Sequence, residues 1–85
     1  MNSVANSVAL VTGATGFLGA ALTHRLVAMG AEVHAFLRDL SSLWRIEEMT
    51  GRVKVWRGDV KNRASLEACM RAVKPEVIFH LAGET

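Results

Sequence analysis

A chain of 85 residues has room for at most one small domain, below the usual size of an α/β nucleotide-binding fold. Hydrophobic residues make up 51% of it, too many for a disordered tail. The net charge of +2 comes from basic residues scattered without a run longer than two, so nucleic acid is not implied. No apolar stretch approaches the ~20 residues of a membrane span. The residues before Ser7 carry neither the basic lead nor the apolar core of a secretory signal. The single cysteine, Cys69, cannot form an internal disulfide and suits a reducing compartment. The chain therefore reads as cytoplasmic, with no membrane partner and with Cys69 a buried apolar thiol on a helix.

In chain order, Ser7–Val11 is a short apolar run of the kind that makes a buried parallel strand. Then come Thr12-Gly13-Ala14-Thr15-Gly16-Phe17-Leu18-Gly19, and Leu18, Leu22, Leu26 and Met29 recur at helical spacing up to Gly30. Glycines at intervals of three thus occupy a strand-to-helix turn. Such a turn needs backbone without Cβ to bend sharply and to let a phosphate approach. The helix N-terminus beyond it offers N–H groups and partial positive charge to an anion. A second strand is expected at Glu32–Leu37, a turn at Asp39–Ser42 and a short helix at Leu43–Met49. Arg52–Arg57 alternates like an edge strand with one wet face. Asn62 is placed to cap a helix from Arg63 to Lys74, with Leu66, Cys69 or Met70, and Val73 inward, and Pro75 to stop it. A fourth strand spans Glu76–Leu81.

Regular alternation of strands and helices requires right-handed parallel crossovers, here with strand order 3-2-1-4 and the switch point between strands one and four. The loops at Gly13–Gly19, Arg38–Ser42, Asp59-Val60 and Ala82-Gly83 then all lie at the carboxyl ends of strands, where one ligand can touch them. The fourth strand is hydrophobic and should be central, with a fifth beyond it, because an apolar edge is a liability. Residues 1–85 are accordingly expected to be the first part of a longer protein, a doubly wound α/β domain that continues past strand four.

The run Thr12–Gly19 resembles the cofactor loop of the extended short-chain dehydrogenase/reductase family, the nucleotide-sugar epimerases and dehydratases with dihydroflavonol-reductase-like relatives. Gly58-Asp59-Val60 is similar to that family's adenine-contacting loop, and Val77–Gly83 to its fourth strand. The resemblance implies a partial Rossmann domain that binds a nicotinamide dinucleotide. Gly13, Gly16 and Gly19 would form the turn, with Thr15 inside it, and Phe17 and Leu18 would offer backbone N–H groups to the pyrophosphate. Asp59 would accept from the adenine amino group and Val60 would pack on the ring. Leu81, Ala82 and Gly83 would line the path to the nicotinamide ribose. His80 would be a packed strand residue.

The resemblance also bears on cofactor choice. Members that use NAD usually carry an acid at the end of strand two; the matching residue here is Leu37, and the next is Arg38, whose fork suits a 2′-phosphate. NADP is expected over NAD, although Asp39 stands close enough to serve a ribose. The family's chemistry needs a tyrosine and a lysine four residues later, and this chain contains no tyrosine. No catalytic residue and no metal ligand is therefore assigned. The resemblance implies the binding segment of a nucleotide-sugar epimerase or dehydratase. The alternatives are an NADP-dependent carbonyl reductase of the same family, a non-catalytic NAD(P)-sensing protein, and a degenerate product that binds nothing. A full-length relative could form a homodimer through helices beyond Thr85.

Overall fold

The computed structural model describes residues 6–13, 17–37, 51–59 and 61–81. They form β1 (Val8–Thr12), α1 (Phe17–Ala28), β2 (Glu32–Leu37), β3 (Val53–Arg57), α2 (Arg63–Val73) and β4 (Val77–His80). All four strands are parallel, in the order β3-β2-β1-β4. This is the expected arrangement, with strand one starting and ending one residue later than the apolar run. The expected helix at Leu43–Met49 and the turn before it lie outside the described residues.

The pleat sends alternate side chains to opposite faces of the sheet, and each face has its own core. Ala9, Val11, Val33, Ala35, Leu37 and Val53 pack with Ala20, Leu26 and Val27 of α1. Leu10 and Phe36 pack with Cys69 and Val73 of α2 on the other side, joined by the half-buried Trp56, Leu66 and Met70. Burial pushes the Cys69 thiol pKa up, as expected for an apolar thiol. The α1 stripe differs from the one its leucines suggest. Leu26 is buried and Leu22 packs at the margin, but Leu18 is 67% and Met29 44% exposed. Small residues, Gly19, Ala20 and Thr23, close the helix against the sheet instead, and the buried Thr23 hydroxyl donates to the Gly19 carbonyl at 2.8 Å.

Both helix ends are stopped by local chemistry. Gly30, at φ 89°, closes α1 in a Schellman arrangement: Gly30 N–H donates to Val27 at 3.0 Å and Ala31 N–H to Leu26 at 3.1 Å. At α2 the Asn62 side chain accepts from Ser65 N–H at 3.2 Å, and Lys74 turns left-handed before Pro75. Among the described residues β4 pairs with β1 alone, and its Ile78 is 44% exposed.

A polar chain crosses from β2 to β3. Trp56 Nε1 donates to His34 Nδ1 at 2.9 Å, and His34 Nε2 lies 2.7 Å from Glu32 Oε2. An indole N–H only donates, so Nδ1 accepts and the ring proton sits on Nε2, directed at the carboxylate. That bond is the main cause lowering the Glu32 carboxyl pKa from its ordinary value, with desolvation opposing it and the Lys54 charge adding a smaller pull. A depressed folded-state value means stability that is present above the unfolded-state value and lost as pH falls through the folded one. The urea midpoint of the native protein should therefore exceed that of Glu32→Gln at neutral pH, with the gap closing below the ordinary carboxylate range. A gap that stays constant into acid contradicts this.

Candidate dinucleotide site at the carboxyl edge of the sheet

Because every strand is parallel, all four carboxyl ends lie on one edge. At its centre β1 ends in Thr12, 1% exposed. Leu81 N–H, just past β4, donates to both the carbonyl and Oγ1 of Thr12 at 3.1 Å each. The same Oγ1 lies 2.9 Å from His80 Nδ1. Thr12 thus fastens the exits of β1 and β4, neighbours in the sheet but far apart in the chain. His80, expected to be packed, is exposed instead, on a strand that among the described residues pairs with β1 alone. Sequence reasoning passed over Thr12; a hydroxyl residue closing an apolar strand just before the first glycine is the signal that marks it.

Directly after Thr12, Gly13 adopts φ 77°, a conformation that costs an L-residue with a Cβ roughly 1–2 kcal/mol. Helix α1 begins four residues later at Phe17. No acidic residue stands in its first turn, so its partial positive charge is unopposed there. Among the described residues none accepts a hydrogen bond from the Phe17 or Leu18 amide. Gly19 is buried within the first turn of the helix.

At the other flank, β3 leaves the sheet through Gly58, whose N–H donates to the Leu37 carbonyl at 2.8 Å. A Cβ on Gly58 would meet Phe36 Cζ at 2.5 Å and the Ser65 hydroxyl closer still. Glycine is thus fixed here by packing. Asp59 follows: its Oδ1 accepts from Lys61 N–H at 2.9 Å and its carbonyl from Asn62 N–H at 2.8 Å. The turn orients the carboxylate and leaves Oδ2 without a hydrogen bond among the described residues. Leu37 at the end of β2 is 3% exposed in the α1-side core, an apolar end with no acceptor to offer.

The structure therefore brings Gly13, Phe17, Leu18, Gly19, Asp59 and Leu81 to one edge, or to the first turn of the helix that starts there. Thr15, Gly16, Arg38, Val60, Ala82 and Gly83 lie outside the described residues. Among the described residues no cluster of metal-ligating side chains occurs, and no helix is long and apolar enough to cross a membrane.

The family model of GDP-mannose 4,6 dehydratase matches residues 10–85, from the middle of β1 onwards. The chain belongs to the extended short-chain dehydrogenase/reductase family. Within that family it is 42% identical over 80 residues to UDP-glucose 4-epimerase of Mycolicibacterium smegmatis, covering 88% of this chain and 25% of the relative. A short-chain dehydrogenase from Burkholderia cenocepacia, solved with NADP, superposes with TM-score 0.77 at 30% identity, covering 96% of this chain and 34% of that one. The 3-ketoacyl-(acyl-carrier-protein) reductase of Brucella melitensis, solved with NADH, gives TM-score 0.73 at 28% identity, over 84% of this chain and 30% of that one. The chain spans about a fifth to a quarter of the length of curated dehydratase relatives, 23% and 21% in two of them.

Gly58→Ala should destabilise the protein by about 1–3 kcal/mol, the cost of overpacking a fixed site. Thermal unfolding of the variant measures it; an unchanged midpoint would show that Phe36 yields freely.

Proposed function

We propose that the carboxyl edge holds a nicotinamide dinucleotide, with its pyrophosphate over the turn from Gly13 to Gly19 and its adenine beside Asp59. The observation that carries this reading is the junction of β1 and α1. A left-handed Gly13 leads into a helix whose first turn bears no acid, beside an exit strand pinned by Thr12. The Phe17 and Leu18 amides would donate to the phosphates. Asp59 Oδ2 would accept from the adenine amino group, with Val60 against the ring, and Leu81, Ala82 and Gly83 would border the nicotinamide ribose. Hydride chemistry would be the cofactor's, and the protein's part here is to bind and orient it.

The whole protein, on this reading, is a cytoplasmic nucleotide-sugar epimerase or dehydratase whose proton-transfer residues are contributed from outside residues 1–85. NADP is proposed over NAD. An apolar, buried Leu37 offers nothing to a ribose 2′-hydroxyl, and Arg38 follows it.

Calorimetric titration of the intact protein should detect NADPH binding tighter than NADH. Gly16→Val should abolish both, since a branched Cβ occupies the space a pyrophosphate needs. Arg38→Ala should cost NADPH about 1.5–3 kcal/mol, the worth of a charged hydrogen bond, and leave NADH nearly unchanged. Equal losses for both cofactors from Arg38→Ala contradict the NADP assignment, and no binding of either contradicts the site.

A further inference from the structure

We infer that Arg57 is a second specificity-determining cation for the 2′-phosphate of the bound dinucleotide, an inference that rests on the NADP reading above. Arg57 is the last residue of β3 and pairs in register with Leu37, the last residue of β2. Register partners share a sheet face, and Leu37 belongs to the α1-side core. Arg57 therefore emerges at the carboxyl edge on the side where α1 begins, one strand spacing, roughly 4.8 Å, from the end of β2. That is where an adenosine ribose would lie if the pyrophosphate sits over α1 and the adenine beside Asp59.

Arg57 is exposed. It has no hydrogen bond or ion pair among the described residues. The described carboxylates are all engaged: Glu32 by His34, Asp59 by Lys61 N–H, Glu67 by Arg63 at 3.7 Å, and Glu76 by Val8 N–H at 2.9 Å. Its support is also firm. The Gly58 N–H bond to the Leu37 carbonyl and the crowding of Gly58 by Phe36 and Ser65 fix the strand exit immediately after it. Leu37 itself, the last residue of β2, is apolar and brings no carboxylate to that position. A guanidinium at the end of β3 can donate two N–H groups to a phosphate, which a ribose hydroxyl cannot exploit.

The test compares the intact native protein with Arg57→Ala and Arg57→Glu by calorimetric titration with NADPH, NADH, 2′,5′-ADP and 5′-AMP. Arg57→Ala should weaken NADPH and 2′,5′-ADP about tenfold or more, as expected for loss of a charged hydrogen bond. NADH and 5′-AMP should be nearly unchanged, and Arg57→Glu should weaken the two 2′-phosphorylated ligands further still. Unchanged NADPH affinity in Arg57→Ala overturns the inference while leaving the dinucleotide site standing. Equal losses for NADPH and NADH also overturn it, by assigning Arg57 a structural role. If the native protein binds neither dinucleotide, the proposed function itself fails, and this inference with it.

Discussion

The pairing of β1 with neighbours on both sides is the constraint on which the rest of the structure depends. Parallel hydrogen bonding to β2 and to β4 forces α1 onto one face and α2 onto the other, because a crossover must return over the sheet. The crossovers then diverge at the end of β1. Backbone cannot continue there as strand or close as a hairpin, and in open α/β sheets this is the place where ligands bind. Thr12 sits at that point, buried, taking the Leu81 amide on both its carbonyl and its hydroxyl. The exits of β1 and β4 are thereby tied together by polar bonds.

Small residues do the remaining work. Gly13 turns the chain out of β1 where a side chain would be strained, and Gly19, Ala20 and Thr23 let α1 lie close to the sheet. An unneutralised helix N-terminus is then directed at the carboxyl edge, while Gly58 lets β3 leave tightly enough for Asp59 to stand beside it. The proposed ligand matches this layout in charge: anionic at the helix tip, hydrogen-bonding at Asp59, and anionic again beside Arg57. Membership of the extended short-chain dehydrogenase/reductase family agrees with it.

Much of this was legible in the sequence, because the relevant signals are local. Glycine spacing marks the turn, apolar runs mark strands, and Asn62 and Pro75 mark the ends of α2. Strand order followed from chain alternation together with the glycine turn, which points to the doubly wound dinucleotide-binding pattern. What sequence could not give depends on which side chains meet. Leucine periodicity suggested one stripe on α1, but a helix that approaches a sheet closely buries its small residues and leaves Leu18 and Met29 outside. The Glu32–His34–Trp56 chain and the pairing of Arg57 with Leu37 arise from strand register, which no single segment encodes. The resemblance implies a packed His80, yet among the described residues it is exposed.

The central claim is that the carboxyl edge, and no other part of the surface, receives the dinucleotide. Amide chemical-shift mapping of the intact protein titrated with NADPH to saturation tests this most directly. The account predicts large shifts at Gly13, Phe17, Leu18, Asp59 and Leu81, with Gly30, Glu32 and Glu76 at the opposite edge unmoved. Shifts concentrated at the opposite edge, or none at saturation, would contradict it.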